Sequence, residues 1–132
     1  MEHLNTIKSD YGRVLMINLL ERSKEGENLL TAALEQIVEE NSSTLNSFCR
    51  YLFYDINESF KKYSFGEIYQ ILTRIDPVLK EFGFFRWDYI SNDIHRLQRG
   101  VIRVGCLDCL LRTSRFLQAF FFYQMQEQLL HA

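Results

Sequence analysis

A surplus of charge of one sign, a long apolar run and an even set of cysteines are all missing from this chain of 132 residues. Each absence removes a class of function. Lys and Arg number 15 against 17 Asp and Glu, a formal net charge of -2, whereas neutralising nucleic-acid phosphates takes a clustered cationic excess. No nucleic-acid partner is expected, and any anion site must be local. The longest wholly apolar stretch near the C-terminus runs from Ala119 through Phe120, Phe121 and Phe122 to Tyr123. That is far short of the roughly 18 residues a membrane-spanning helix needs. Cysteine occurs 3 times, an odd count, and no cationic and apolar leader opens the chain. Both features argue against a disulfide framework and for reduced thiols in a reducing compartment. Repeats, low-complexity tracts and linker-like stretches are lacking too, so residues 1–132 read as a single domain. What remains, 47% hydrophobic and 24% charged residues, is the composition of a globular domain long enough to bury its own core.

Short apolar runs alternate with longer amphipathic stretches, which predicts an α/β fold: a layered sheet of about four strands with three main helices. Val14 to Leu20, apolar on both faces and partly β-branched, reads as a buried strand. A helix follows over Glu25 to Glu39, with Leu29, Leu30, Ala33, Leu34, Ile37 and Val38 on its inward stripe. Cys49 to Asp55 reads as a second strand. The segment from about Phe65 to Phe82 reads as a helix with Ile68, Ile71, Leu72 and Ile75 inward, bent or restarted at Pro77. Phe84 to Asp88 and Val101 to Val104 give the third and fourth strands, and a last helix runs from about Thr113 to Leu129, with Phe116, Phe120 and Tyr123 in the core.

Chemistry concentrates between the last strand and the last helix, in Arg103-Val104-Gly105-Cys106-Leu107-Asp108-Cys109-Leu110-Leu111-Arg112-Thr113-Ser114. A loop that leads from a strand end into a helix points unpaired backbone N–H groups at one spot, where the helix dipole favours an anion. That field also favours the thiolate of Cys106, the nucleophilic form. Arg112 can fold over such a loop and grip two phosphate oxygens with its planar fork. The same letters allow other readings. Cys106 and Cys109 have the spacing of a redox pair or of half a zinc site, although Cys49, His3, His95 and His131 show no paired ligand spacing, and no metal or other cofactor is expected. His95, and Lys61 and Lys62 with Lys24 and Lys80, read as solvated surface.

The loop resembles the signature of the Sac-domain phosphoinositide phosphatases, Arg-Thr-Asn-Cys-x-Asp-Cys-Leu-Asp-Arg-Thr-Asn, with a Gln shortly after. Arg103, Cys106, Asp108, Cys109, Leu110, Arg112, Thr113 and Gln118 match it in register. Upstream, Tyr11, Gly12, Asn18, Leu19, Leu20 and Ser23 to Glu27 are similar to the synaptojanin branch, as are Leu79 to Asp88 and the approach from Gln98 to Arg103. The resemblance covers nearly the whole chain and corresponds to the C-terminal part of the Sac domain. It implies a cytoplasmic enzyme, peripheral at membranes, that takes a phosphoinositide headgroup and hydrolyses an inositol-ring phosphate through a phosphocysteine. Cys106 would attack phosphorus, Arg112 and the loop N–H groups would hold its oxygens, and Asp108 would be an acid, a base or a loop-orienting group. Thr113 would cap the helix or steady the thiolate. Leu107, Cys109, Leu110 and Leu111 would complete the substrate-binding loop.

Several positions depart from that pattern. Leu111 stands at the family's second Asp, Gly105 at its Asn, Val104 at its Thr and Ser114 at its last Asn. Asn57 stands where the family has a His two places after Asp55. Leu111 can neither transfer a proton nor accept a hydrogen bond, so an inactive Sac-like module that binds phosphate or a protein is the alternative. Because the family's domain is larger, the resemblance also implies self-association or a partner chain over the missing N-terminal part.

Overall fold

The computed structural model describes residues 1–56, 66–107 and 111–131. In chain order the elements are α1 (Glu2–Tyr11), β1 (Arg13–Asn18), α2 (Glu25–Glu40), α3 (Ser42–Leu45), β2 (Cys49–Phe53), α4 (Gly66–Phe82), β3 (Arg86–Asp88), β4 (Asp93–Arg96), β5 (Gly100–Gly105) and α5 (Arg112–Leu130). β1 is buried from Val14 to Asn18 because its apolar residues on both faces are covered from both sides, as parallel strands require. It forms the middle of a parallel sheet in the order β2-β1-β5, while β3 and β4 make a separate antiparallel pair.

The pleat of β1 divides the interior in two. Leu15, Ile17 and then Leu19 face Ile68, Ile71, Leu72, Ile75 and Leu79 of α4 and Phe116, Ala119 and Tyr123 of α5. Val14 and Met16 turn the other way, toward Leu4, Leu45 and Phe48, with Leu34 and Val38 of α2 packed alongside. Ile17 and Phe116 have no exposed surface, and each such side chain stabilises the fold by about 1.5–3 kcal/mol. Gly100 opens β5 because the strand runs against Phe82 at the end of α4; a Cβ there would lie 2.4 Å from the ring.

The mixed α/β architecture agrees with the sequence reading, and so do the inward positions of α4. The details differ in four places. α1 and α3 were not anticipated, since α1 buries only Leu4 and so carries almost no apolar period. β4 was not anticipated either: its residues are exposed or half-buried, and it exists as the return arm of a hairpin in which Asp88 Oδ1 accepts the Ile90 N–H at 2.8 Å and Asn92 takes φ 58°. α4 passes through Pro77 without restarting; that residue faces solvent, where water can satisfy the carbonyl that proline's missing N–H leaves behind.

The fourth difference corrects the inward stripe of α2. Leu29, Leu30 and Ile37 are 65%, 52% and 47% exposed, and Ala33 is exposed with them. Glu27 and Thr31 are the buried positions, with Leu34 and Val38 half-buried beside them. Polar pairing sets the rotation of this helix: Thr31 Oγ1 accepts from Asn18 Nδ2 at 3.2 Å, and Glu27 is held by Arg112.

Candidate active site

The three parallel strands end level with one another, Asn18 lying opposite both Phe53 and Gly105. Backbone bonds continue the ladder just past those ends. Leu19 donates its N–H to the Gly105 carbonyl at 2.8 Å, and Tyr54 donates to the Asn18 carbonyl at 2.9 Å. Asn18 is 3% exposed and ties three pieces together. Its Oδ1 accepts the Leu20 N–H at 3.0 Å, while Nδ2 donates to Thr31 Oγ1 and to Tyr51 Oη at 3.1 Å. A buried amide satisfied on both ends fixes the loop that leaves β1.

Cys106 follows directly on β5, and its Sγ lies 3.0 Å from Thr113 Oγ1. Thr113 is the second residue of α5, so its hydroxyl contacts the sulfur and is not the cap of the helix. Leu111 occupies the N-cap position with no side-chain hydrogen bond to the first turn, and it is 56% exposed. A leucine has no acceptor to offer the orphan N–H groups there. Leu107 is exposed as well. Asp108, Cys109 and Leu110 lie outside the described residues, as does Asn57.

Arg112 points inward. Its Nη1 donates to Glu27 Oε2 at 2.5 Å and to the Leu19 carbonyl at 3.2 Å, and its Nη2 donates to Glu27 Oε1 at 3.1 Å. Glu27 Oε2 also accepts the Glu21 N–H at 2.7 Å. The guanidinium beside Glu27 holds its carboxyl below the ordinary carboxylate value, with burial working upward against it and the Glu21 N–H adding to the depression. Lys24 Nζ reaches Glu21 at 3.3 Å and Glu27 at 3.8 Å, and Ser23 Oγ donates to Glu21 Oε1 at 2.7 Å. Glu21, Glu27 and Lys24 were given no role by sequence reasoning. The signal for Glu27 was there, an acidic residue one helical turn before Thr31 on what proves to be the buried side of α2.

Of the residues singled out from sequence, Cys106 and Thr113 thus meet at the end of β5, while the Arg112 side chain turns to Glu27 and the Leu19 carbonyl and Leu111 is exposed at the N-cap. His95 lies in β4, with Nε2 3.8 Å from Asp88 Oδ2. Burial pushes the Cys49 thiol up from its ordinary value, with the Arg103 charge working downward against it. Among the described residues no group of three or more His, Cys, Asp or Glu is arranged to hold a metal ion.

No family model matches the chain. Individual proteins do. Synaptojanin-1 of Mus musculus is 32% identical over 132 residues, an alignment covering 98% of this chain. Synaptojanin of Caenorhabditis elegans is 34% identical over 85% of the chain, and the phosphatidylinositol-3-phosphatase SAC1-A of Danio rerio is 30% identical over 79%. The chain belongs to the Sac-domain family, on its synaptojanin-like side. It spans 8%, 10% and 17% of the lengths of these curated relatives. Cys106 stands just past the carboxyl end of a strand of the parallel sheet, where α/β folds place their ligand crevices.

Proposed function

We propose that the chain is the C-terminal part of a Sac phosphatase domain, and that it hydrolyses an inositol-ring phosphate monoester of a phosphoinositide through a phosphocysteine. The observation that carries this reading is the contact of Cys106 Sγ with Thr113 Oγ1 at 3.0 Å, at the point where β5 ends and α5 begins. The sulfur would be the nucleophile, with the Thr113 hydroxyl in hydrogen-bonding reach of it. The thiolate attacks phosphorus as the bond from phosphorus to the inositol oxygen breaks. That oxygen takes up a proton, and water then displaces the cysteine to release phosphate.

Arg112 and the loop N–H groups hold the equatorial oxygens as their charge grows. Asp108, by resemblance, is the acid, the base or the group that orients the loop, and Leu107, Cys109, Leu110 and Leu111 supply the rest of the cradle. The name of the Danio rerio relative supports a phosphatidylinositol phosphate as the substrate class. Such a lipid is met at the cytosolic face of a membrane by peripheral contact; among the described residues no helix is long and apolar enough to cross one. The exposed face of α2 at Leu29, Leu30 and Ile37 supports a second copy or a partner chain as cover.

An inactive, phosphate-binding module is the second reading. The N-cap leucine at Leu111 and the engagement of the Arg112 fork by Glu27 favour it. Phosphate release from a panel of short-chain phosphoinositides, with Cys106→Ser as the control, separates the two. Turnover lost in Cys106→Ser supports the enzyme. Phosphate binding without turnover on any member of the panel supports the module.

A further inference from the structure

The opposite end of the sheet carries a second concentration of charge. Arg13 opens β1, Arg50 is the second residue of β2 and Arg99 stands just before β5, so the parallel strands bring three arginines to their amino ends. Two clefts beside them meet at Glu81 and Phe82, near the end of α4. Among the described residues, Arg13, Arg50, Lys80, Arg96 and Arg99 line these clefts against Glu81 alone, in a chain whose net charge is -2. Glu81 pairs with Arg13, and Asp76 pairs with Lys80 at 2.9 Å. Arg96 lies over the Phe84 ring, 4.8 Å from its centre, which leaves its charge uncompensated. Arg50 and Arg99 are exposed and enter no ion pair among the described residues. The hairpin of β3 and β4 rises from the same place, since Ile94 and Leu97 line one of the clefts. Its first arm alternates from Phe84 to Tyr89, but with the apolar set turned away from the protein. Arg86 reaches back to the His131 carbonyl at 2.6 Å and Asp88 is bonded into the turn, whereas Phe85, Trp87 and Tyr89 are exposed. Trp87 stands directly across from Ile94, itself exposed, and Ile90 at the turn is 82% exposed.

We propose that this end of the molecule docks on a bilayer containing anionic lipid, through the uncompensated Arg50, Arg96 and Arg99 and the apolar tip of the hairpin. Tryptophan and tyrosine, apolar in body and polar at one end, favour the boundary between water and hydrocarbon. Arginine forks match lipid phosphates, and a local cationic excess is drawn to an anionic leaflet. A soluble acidic partner would use the arginines but give Tyr89 and Ile90 no apolar place to go. A bilayer accounts for both, the tip entering it while the arginines stay among the headgroups. The exposed Asp93, paired across the ladder with Asp88 beside the turn, keeps the tip at headgroup depth, because a carboxylate resists transfer into hydrocarbon. Cys106 lies beyond the far end of β5, about 20 Å away along the strand. Docking here neither occupies the candidate active site nor depends on the hydrolytic reading.

Trp87 is the only tryptophan of the chain, so its emission reports on the hairpin directly. The test titrates the full chain with phosphatidylcholine vesicles, with and without about one-fifth phosphatidylserine, and follows Trp87 fluorescence alongside cosedimentation. Leaving out phosphoinositides keeps the crevice at Cys106 out of the measurement. With phosphatidylserine present, the chain should sediment with the vesicles and Trp87 should shift to the blue. Arg50→Gln with Arg99→Gln should weaken partitioning about twentyfold or more, near fivefold for each charge, and raising salt from about 0.1 to 0.5 M should erase most of that difference. Tyr89→Ser with Ile90→Ser should weaken it about tenfold or more and remove the blue shift. Thermal transitions show that the variants are folded, and the wild-type emission decides the point where a hairpin variant is not. No binding to the anionic vesicles, or binding that leaves Trp87 emission unchanged, overturns the proposal. So does a blue shift that grows with protein concentration without vesicles, which would give the face to a second copy, or one produced by polyglutamate or duplex DNA and not by vesicles, which would give it to a soluble polyanion.

Discussion

Replacing Arg112 by methionine tests the buried pair as a structural element, apart from any catalysis. Removing one partner of a buried ion pair costs about 3–5 kcal/mol, because the other charge is left without compensation. Glu27 keeps the Glu21 N–H at 2.7 Å and Lys24 at 3.8 Å, but the Lys24 side chain is 60% exposed and solvent screens it. A loss near the lower end, about 3 kcal/mol, is expected at pH 7. For a chain of this size that is a fall in Tm of roughly 10 °C. The pH dependence gives a second check. Arg112 depresses the Glu27 carboxyl from an ordinary value of 4.5, and a carboxyl depressed in the fold contributes stability above its unfolded value and loses it as pH falls through the folded one. The gap between wild type and Arg112→Met should therefore be full at pH 6 to 7 and shrink below about pH 4.5. Urea unfolding across pH 7 to 3 measures it. Adding Glu27→Leu to the variant should recover most of the loss, since a buried pair replaced by apolar residues is often neutral. A loss below about 1 kcal/mol at pH 7, or one that does not change with pH, would refute the account.

Leu111→Asp should supply the missing N-cap acceptor and raise stability by about 0.5–1 kcal/mol. Combined with Gly105→Asn, whose Cβ would meet, among the described residues, only Arg103 Nη1 at 3.8 Å, it should raise phosphoinositide turnover by about 10² or more if the absent acid is what limits it; unchanged Tm and turnover would reject the assignment. Gly100→Ala places a methyl against the Phe82 ring and should cost about 1–3 kcal/mol in thermal or urea unfolding, whereas a neutral result would mean that β5 and α4 are less closely packed. In a pulse of iodoacetamide at pH 7 followed by mass spectrometry, Cys106 should label well before Cys49, and Thr113→Val should slow it. Equal labelling of the two in the folded protein would remove the nucleophile argument.

The sheet and the two helices behind it were legible because apolar period alone decides them. β1 is apolar on both faces, α4 repeats Ile68, Ile71, Leu72 and Ile75, and α5 repeats Phe116 and Tyr123. The chain order that places a loop with Cys106 between β5 and α5 followed from those elements. What stayed hidden depends on partners distant in sequence. The rotation of α2 follows Asn18 and Arg112, the latter 85 residues from Glu27, so Leu29 and Leu30 point outward even though they belong to the more obvious stripe. β4 has no apolar period to read, since only pairing with β3 defines it. For the same reason the direction of Arg112 was not readable. Spacing allowed it to arch over the loop, whereas a buried carboxylate draws it inward.

That inward direction bears on how an anion could be held. The charges beside the strand ends come in compensating pairs, buried Arg112 with Glu27 and exposed Lys24 with Glu21, so these side chains add no net positive charge there. On the proposed reading, attraction for a phosphate must then come chiefly from oriented groups: the first-turn N–H groups of α5 and the dipole behind them. Oriented dipoles act at short range and only on an anion seated among them, so they select a phosphate that fits and do little to gather phosphates from solution. On the proposed reading, the gathering falls to whatever brings the chain to a lipid surface. A site of this kind suits a substrate already concentrated at a membrane surface, and it makes the geometry of the rim, where Leu111 replaces an acceptor, matter more than the count of charges around it.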